Sequence, residues 1–436
     1  MLIEFSVANF RSFKDRQILS MVAANLVSKD KALDVENTIP VDDNLTLLTS
    51  AAIYGANASG KSNIAKAIRF MRGFVLNSSR ETQIEDQIGV ERFRLSTDTE
   101  DQPSLFEVIF LLKGKKYRYG FEVTTQRVVA EWLFWVPRVK EARLFERKLD
   151  VITVSPQFTK NKGVTELTRQ NALFLSVMAQ FNGDIAGRVI NWFRQFNVNL
   201  GIDDSFDLFQ ASMQFHRGDA KESVLQIIKD LDLAIDNIHS DEEYLVRPNL
   251  RPPVEGVFKG VWEALDQLGA PVKFPKIRTV HRKYDSRGNS VEPEVFELDR
   301  QESAGTQRLF SLAGSILSAL KLGHILFVDE LDARLHPLIT CAIIGLFNSR
   351  KRNPHNAQLI FTTHDTNLLS NQLFRRDQIW FTEKDRFGAT HLYSLAEFKV
   401  RNDATYEKDY IQGRYGAIPF INSDLRVMVG GEDGAA

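Results

Sequence analysis

The sequence predicts an α/β protein with a buried parallel sheet, an added antiparallel sheet and a helical insertion. Residues 47–75 have the pattern of a strand, a glycine-rich turn and a helix, in that order. Residues 323–331 and 357–364 contain short, nearly continuous apolar runs, which are typical of strands buried on both faces of a parallel sheet. Between these parts, residues 104–154 alternate like antiparallel strands, and residues 165–238 follow a helical period.

The remaining elements follow from local patterns. Residues 2–10 alternate as a strand, and residues 104–125 predict a hairpin that turns at Lys113 to Lys116. A second hairpin is predicted around Ser286 to Asn289, and a helix is predicted from about Pro337 to Ser349. No heptad pattern is sustained, so we expect no long coiled coil.

Composition narrows the class of protein. The 436 residues include 55 Lys and Arg against 56 Asp and Glu, so net charge does not indicate a nucleic-acid partner, although local basic patches leave that partner open. No apolar run approaches the roughly 20 residues that span a bilayer, and no secretory leader is apparent. Cys341 is the only cysteine, which excludes an internal disulfide. We therefore expect a cytoplasmic protein with no membrane partner.

Residues 55–62, GANASGKS, fit the P-loop pattern. Gly55 and Gly60 allow backbone N–H groups to surround phosphates, Lys61 neutralises phosphate charge, and the Ser62 hydroxyl reaches Mg²⁺. A glycine turn that merely packs is the alternative, but the strand before and the helix after favour a nucleotide site. The cofactors expected from this motif are ATP and Mg²⁺.

Two later motifs complete a nucleotide site. Residues 325–330, ILFVDE, predict a buried strand that ends at Asp329, which would support the metal, and Glu330, which would polarise the attacking water. Two acids after an apolar run usually mark only a strand that emerges into solvent; the upstream P-loop favours the catalytic interpretation. His364 ends the next strand, TTH, and is predicted to contact the γ-phosphate.

A fourth segment, QESAGTQR (residues 301–308), directly precedes an apolar helical pattern. Small hydroxyl residues and glycine at a helix start leave outward-pointing N–H groups, which form an anion site. We call residues 301–308 the signature-like segment.

The order of these four motifs resembles that of ABC-type ATPases, specifically the branch that contains SMC and RecF proteins. Ser303 and Gly305 match the Ser and Gly of that family's Leu-Ser-Gly-Gly-Gln signature, whereas Glu302, Ala304 and Thr306 depart from it. AAA+ proteins are disfavoured because they lack such a segment ahead of the acidic strand. The resemblance implies an ABC-type P-loop ATPase head and a homodimer, or a higher homo-oligomer, in which Ser303 and Gly305 close over the γ-phosphate bound by the partner.

Further residues fit this branch. Residues 9–13, NFRSF, resemble the N-terminal segment of RecF-like ATPases, which makes Arg11 a predicted nucleotide contact; Asn57 and Asn63 match the family's GxNxxGKSN loop. The family often follows its catalytic Glu with a loop that ends in Ala-Leu-Asp, whereas this chain has RLHP at residues 334–337. Asp332 or His336 would then have to make the contacts across the dimer that the family's Asp makes. Gln83 and Gln87 are weak candidates for the family's glutamine loop.

We divide the chain into an N-terminal ATPase lobe with the P-loop and β subdomain (residues 1–164), a helical insertion (165–275) and a C-terminal ATPase lobe (276–436). Most of the chain also resembles the ATPases of bacterial anti-phage modules, including RloA, AbiL-type proteins and the ATPase half of the PARIS system. This resemblance implies defence by abortive infection in a toxin–antitoxin-like module, with a phage protein as trigger. Because only about 70 residues follow TTHD, we expect any nuclease effector to be a separate protein.

Alternatives remain. A RecF-like DNA clamp in repair, a transporter subunit and a scaffold that scarcely hydrolyses ATP use the same motifs, although the long insertion disfavours the transporter. Basic clusters at residues 113–119, 281–287 and 350–352 either contact phosphates or are solvated turns, and the latter is favoured. The acids of residues 241–244 are interpreted as a solvated loop rather than a metal site.

Overall fold

The computed structural model describes residues 1–80, 83, 85–159, 162–201, 204–218, 221–231, 235–244, 273–400 and 405–419. The strands are Leu2–Ala8 (β1), Gln17–Ser20 (β2), Thr38–Asp42 (β3), Leu45–Leu48 (β4), Ser50–Tyr54 (β5), Ser104–Leu112 (β6), Lys115–Val123 (β7), Val128–Trp135 (β8), Ala142–Lys148 (β9), Val151–Val154 (β10), Phe196–Asn199 (β11), Ile235–Tyr244 (β12), Lys273–His281 (β13), Glu294–Glu297 (β14), Ile325–Val328 (β15), Gln358–Thr362 (β16), Ile379–Lys384 (β17) and Thr390–Ser394 (β18). The α-helices are Lys31–Glu36 (α1), Lys61–Asn77 (α2), Phe174–Gln180 (α3), Asp184–Arg194 (α4), Asp204–His216 (α5), Lys221–Leu231 (α6), Ala304–Leu322 (α7), Pro337–Phe347 (α8) and Tyr406–Ile411 (α9).

The predicted parallel sheet is present and places the motifs together. Its strand order is β11-β15-β16-β5-β17-β18, and every neighbouring pair is parallel except β17 with β18. Strands β5, β15 and β16 are buried along their whole length, as their apolar runs predict. Because carboxyl ends of parallel strands meet at one edge of a sheet, the P-loop, the acidic pair and TTH all lie at that edge.

The predicted antiparallel sheet is also present, with seven strands in the order β10-β9-β8-β7-β6-β1-β2. Its central hairpin turns at Lys113 and Gly114, both of which have positive φ. Alternate residues of β6 and β7 enter a core that also receives apolar residues of α2, α3 and α4. Phe110 stacks on Trp192 there, with ring centroids 4.1 Å apart.

Two charged residues on neighbouring strands, Glu131 and Arg147, are buried beside this core. The Glu131 carboxylate on β8 accepts hydrogen bonds from the backbone N–H groups of Phe174 (2.6 Å) and Leu175 (3.0 Å) and from the Tyr119 hydroxyl (3.0 Å). Its cross-strand neighbour on β9 is Arg147, whose guanidinium donates to the backbone carbonyls of residues 149, 169, 170 and 172. Glu131 therefore holds the first turn of α3 to the sheet, and Arg147 holds the segment before that helix.

The chain divides into two compact units. The first comprises Met1–Leu200, Ala319–Ala333 and Thr340–Ala436, and it contains both large sheets. The second comprises Gly201–Ser318 and Arg334–Ile339, and it contains α5, α6 and the antiparallel sheet β12-β13-β14. The division into residues 1–164, 165–275 and 276–436 stays a prediction.

The fold class predicted from sequence is confirmed: an α/β head with a P-loop, an antiparallel β subdomain and inserted helices. The longest helix in the described part of the chain is α7, with 19 residues, so no long coiled coil occurs there. Within those residues, no helix is long and apolar enough to cross a bilayer. Two local predictions were wrong: the helical stretch is interrupted by strand β11, and residues 241–244 belong to strand β12 rather than to a loop.

Candidate nucleotide-binding site

The P-loop conformation explains its glycines. Gly55 and Gly60 have φ of +156° and +113°, and Ala58 between them has φ of +62°. A Cβ on Gly55 would lie 2.5 Å from the carbonyl oxygen of Thr382, and one on Gly60 would lie 2.3 Å from the Thr390 hydroxyl. Alternating backbone conformations of this kind, followed directly by a helix start, direct several N–H groups toward one point and form an anion cradle.

Lys61 is the first residue of α2 and is folded over this loop. Only 6% of the residue is exposed, and its ammonium donates to the carbonyl oxygens of Gly55 (2.7 Å) and Ala56 (3.0 Å). Burial lowers its pKa to about 8, against the opposing influence of Asp329 and two further carboxylates. A phosphate would offer this ammonium stronger acceptors than the two carbonyls do. Asn57 is exposed at the tip of the loop.

Distant parts of the chain hold the loop in place. The Ser59 hydroxyl lies 2.7 Å from the Thr382 hydroxyl, and the Thr390 hydroxyl lies 2.8 Å from both the Ser59 carbonyl oxygen and Ser12 Oγ. The Asn63 amide donates to the same Ser12 Oγ over 2.7 Å. Asn63 thus ties the NFRSF segment to α2, and its predicted contact with nucleotide stays a prediction.

Arg11 lies beside this network but is already engaged. Its backbone has φ of +50°, its N–H donates to the Glu91 carbonyl over 2.8 Å, and its guanidinium forms an ion pair with the Glu91 carboxylate. The nucleotide contact predicted for Arg11 would require this ion pair to be exchanged.

The two acids after β15 have different environments. Asp329 is 2% exposed and accepts a hydrogen bond of 2.5 Å from the Thr362 hydroxyl. Glu330 is exposed, has φ of +52°, and donates its backbone N–H to the same hydroxyl over 2.7 Å. The buried carboxylate is fixed, whereas the exposed one faces solvent. This difference suits a metal support and a proton acceptor, respectively.

His364 ends the neighbouring strand at the same edge. The residue is partly exposed, and its backbone N–H donates to Asp332 Oδ2 over 3.3 Å. Partial burial is the main cause that lowers the pKa of the His364 imidazole, and the nearby Lys61 ammonium lowers it further. The carboxylates of Asp332, Glu330 and Asp329 raise this pKa, but by less. The imidazole is therefore neutral at neutral pH and can donate one hydrogen bond to a phosphate oxygen.

The residues at this edge fit ATP and Mg²⁺. A Cβ at Gly55 or Gly60 would collide with Thr382 or Thr390, so the loop keeps this conformation only with glycine at both positions, and a basic side chain lies across it. The Ser62 hydroxyl, on the first turn of α2, and the Asp329 carboxylate are the oxygen donors that Mg²⁺ prefers, one carboxylate being usual beside phosphate and water oxygens.

The signature-like segment lies in the second compact unit, at the start of α7. Ser303 is exposed, and its hydroxyl accepts a 3.1 Å hydrogen bond from the Thr306 N–H, which caps the helix. A Cβ on Gly305 would lie 2.9 Å from the Arg334 carbonyl oxygen. The preceding Glu302 is held by His281, whose Nε2 lies 2.6 Å from its carboxylate. The segment therefore has a defined conformation.

Weaker candidates occupy structural positions. The backbone of Gln83 is engaged in a turn, since its carbonyl accepts from the Asn171 amide over 2.6 Å. His336 Nδ1 accepts from the Leu338 N–H over 3.2 Å next to α8. Asp241 pairs with Arg278 over 3.2 Å, and no cluster of three or more His, Cys, Asp or Glu side chains suited to a metal occurs among the described residues.

Sequence reasoning missed Ser12, Thr362, Thr382 and Thr390, which support the site. Thr362 carried a signal, because it stands in the TTH motif at the end of a buried strand. Ser12 stands in the NFRSF segment, which marked the segment but not the role of this residue. Thr382 and Thr390 carried no signal, because their partners are distant in sequence.

Residues 50–370 match the protein family described as "AAA domain, putative AbiEii toxin, Type IV TA system". The description uses the term AAA, whereas the motif order in this chain, with residues 301–308 ahead of β15, resembles that of ABC-type ATPases. No curated protein matches the chain.

Solved structures that are similar to this chain include the SMC head domain from Thermotoga maritima, with 13% identity, coverage of 90% of this chain and 98% of that chain, and a TM-score of 0.39. An SMC head bound to the C-terminal winged-helix domain of ScpA gives 13% identity, coverage of 90% and 97%, and a TM-score of 0.38. The recombination mediator RecF in complex with ATP has 14% identity to this chain, and the alignment covers 90% of this chain and 97% of that chain with a TM-score of 0.37.

Proposed function

The chain belongs to this AAA-domain family, and we propose that it is an ABC-type ATPase that binds and hydrolyses ATP with Mg²⁺. The observation that carries the proposal is the single sheet edge that holds the Lys61 cradle, a buried Asp329 and an exposed Glu330. A merely structural glycine turn would not require a lysine held over the loop and within electrostatic range of buried and exposed acids.

Each residue has a separate task in this proposal. The P-loop N–H groups and Lys61 bind the β- and γ-phosphates, and Ser62 and Asp329 hold Mg²⁺. A bound Mg²⁺ would supply charge neutralisation at the phosphate oxygens. Glu330 accepts a proton from the attacking water because its carboxylate is exposed at the same edge, and neutral His364 donates a hydrogen bond to the γ-phosphate.

Phosphate release is the first test. Wild type should turn over ATP, Glu330→Gln should bind ATP but lose most turnover, and Lys61→Met should lose binding. Glu100→Gln is the matched control, because it makes the same change at an exposed position distant from these motifs in sequence. If Glu330→Gln hydrolysed ATP as fast as the Glu100 control, the base assignment would be wrong.

We further propose that two copies share the sites, with Ser303 and Gly305 of one copy closing over ATP in the other. The exposed start of α7 supports this role, because the first N–H groups of a helix have no acceptor within it and suit a γ-phosphate, although that of Thr306 already donates to Ser303. Mass photometry of Glu330→Gln should show an ATP-dependent gain to a dimer or a larger homo-oligomer. Ser303→Arg should abolish the gain and retain ATP binding; a gain that survives this change would exclude the shared site.

We propose that this switch controls a separate effector, a nuclease, in anti-phage defence triggered by a phage protein. The support is the family description, which names a toxin of a type IV toxin–antitoxin system, together with the motif resemblance. Plaque assays on cells that carry the gene and its neighbours should show protection that Glu330→Gln alters. Protection that is absent from every such strain would count against the defence role.

A second candidate, a RecF-like clamp on DNA, is favoured by one surface. Lys113, Lys115 and Lys116 are exposed around the β6–β7 turn, and the Lys115 ammonium lies 4.4 Å from the Trp135 ring centroid. DNA bound there would give an affinity that falls steeply with salt, and removal of the three charges should reduce the slope by up to about three. Affinity that is absent, or indifferent to salt, would reject the clamp.

A further inference from the structure

We propose that Thr362 is a positioning residue for ATP hydrolysis, because its hydroxyl fixes the two acids of the site at once. The inference rests on the proposed ATPase function and adds a residue to the same site. Thr362 touches neither phosphate nor water in this role; it acts through Asp329 and Glu330.

The hydroxyl uses both of its hydrogen-bonding capacities on the acidic pair. It donates to Asp329 Oδ1 over 2.5 Å and accepts the Glu330 N–H over 2.7 Å. A hydroxyl has one proton to donate, so the bond to the carboxylate leaves its lone pairs for the amide. Both partners are thereby satisfied by one atom in a buried position, where an unmade hydrogen bond is costly.

The bond to the Glu330 amide also stabilises an unusual backbone. Glu330 has φ of +52°, a conformation that costs a non-glycine residue about 1–2 kcal/mol. The carbonyl of Thr362 accepts the Leu331 N–H over 3.1 Å, so the peptide groups on both sides of Glu330 are tied to one residue of β16. This pair of bonds sets the direction in which the exposed carboxylate leaves the sheet.

Thr362 is itself rigidly placed and connected to the P-loop strand. It is fully buried, and in the register of β16 with β5 it is paired with Ile53, two residues before Gly55. The next residue, Thr363, donates its N–H to the Ile53 carbonyl over 3.1 Å. The distance between the phosphate cradle and the acids is therefore set through Thr362.

Two substitutions separate the hydroxyl from the shape of the side chain. Thr362→Val keeps the branched shape and removes both hydrogen bonds, whereas Thr362→Ser keeps the hydroxyl. Thr340→Val is the matched control: Thr340 is also fully buried, and its hydroxyl makes no hydrogen bond within the described part of the chain.

We expect Thr362→Val to lower kcat about 10- to 100-fold, as for the loss of a hydrogen bond to a charged group, with ATP affinity in saturating Mg²⁺ changed less than about threefold. Affinity should persist because Lys61 and the loop N–H groups do not depend on Thr362. Thr362→Ser should restore turnover to within about threefold, and Thr340→Val should match wild type.

A second measurement does not depend on turnover. Because a loosened Asp329 holds the metal less well, Thr362→Val should require about tenfold more Mg²⁺ for half-maximal binding of a fluorescent ATP analogue. An unchanged Mg²⁺ requirement, or a Thr362→Val kcat equal to that of Thr340→Val, would overturn the inference. Failure of Thr362→Ser to rescue would also overturn it. No phosphate release by wild type would instead reject the proposed ATPase function, and the Mg²⁺ titration would still decide the position of Asp329.

Discussion

Gly60→Ala tests whether the P-loop conformation is imposed by the structure around it. Gly60 has φ of +113°, which L side chains rarely adopt, and such strain costs about 1–3 kcal/mol. The new methyl group would also lie 2.3 Å from the Thr390 hydroxyl and 2.8 Å from Thr390 Cγ2, and overpacking of this kind costs about 1–3 kcal/mol. We therefore expect the free energy of unfolding to fall by about 2–6 kcal/mol.

The control lies in α2, the helix that follows the loop. Gly73 has no atom within 4 Å of the position that a Cβ would occupy, so Gly73→Ala should gain about 0.5–1 kcal/mol from helix propensity. Denaturant unfolding followed by circular dichroism gives both values. A Gly60→Ala midpoint equal to wild type, or an equal loss for both variants, would refute the reasoning.

A double-mutant cycle separates the two contributions to the loss at Gly60. Thr390→Ala removes the close contact but leaves φ unchanged, so Gly60→Ala should be less harmful in the Thr390→Ala background by about 1–3 kcal/mol. If the cost of Gly60→Ala were the same in both backgrounds, the contact with Thr390 would contribute nothing, and backbone strain together with the 2.9 Å approach to Ser12 Oγ would account for the loss.

Three further predictions concern buried groups. Because the pKa of Lys61 is lowered to about 8, the fraction of charged ammonium in the free protein falls as pH rises through 8, and ATP affinity measured by titration calorimetry should then fall up to about tenfold per pH unit. Glu131→Ala should cost about 3–5 kcal/mol in urea unfolding, because it leaves three buried donors and the Arg147 charge uncompensated. Glu146→Ala on the next strand should cost less than about 1 kcal/mol, because Glu146 is partly exposed and forms a surface ion pair with Arg143. Thr340→Val should leave the melting temperature unchanged or raise it, because it removes a buried hydroxyl without a hydrogen bond in the described residues; a clear drop would reveal a partner that the geometry does not show.

The parts of the site that sequence predicts are contiguous. Gly55 to Ser62 lie in one loop, and the strand before it and the helix after it have strong local patterns. The acidic pair and TTH each follow an apolar run, and parallel pairing brings such ends together. Local residue types therefore determine both the elements and the edge at which the motifs meet.

The parts that sequence misses depend on contacts between distant residues. Thr382 and Thr390 lie more than 300 residues from the loop they support, and a threonine in a strand is ordinarily explained by strand propensity alone. Strand β11 has only four residues, FNVN, inside a helical stretch, and its identity comes from pairing with β15. The ion pair between Arg11 and Glu91 likewise joins two loops that no local pattern connects.

The same contacts show why the motifs alone do not make a stable site. The family match ends at residue 370, before β17 and β18, although β17 is the parallel neighbour of β5 and carries Thr382. A chain that ends at residue 370 would turn β5 into an edge strand and remove both threonines that support the P-loop. We expect this truncated chain to lose ATP binding in a fluorescent-analogue titration while retaining every nucleotide motif.

Full-length Thr390→Val and Thr382→Val separate loss of support from general unfolding. Each removes a hydroxyl that contacts the P-loop, yet neither interrupts the pairing of β17 with β5. Their circular dichroism should match wild type, and their ATP affinity should fall about tenfold, the cost of one or two lost hydrogen bonds. Unchanged affinity in both variants, or ATP binding by the truncated chain, would show that the loop keeps its conformation without these strands. The eight residues of the P-loop would then be self-sufficient, and the long-range hydrogen bonds would serve only the stability of the sheet.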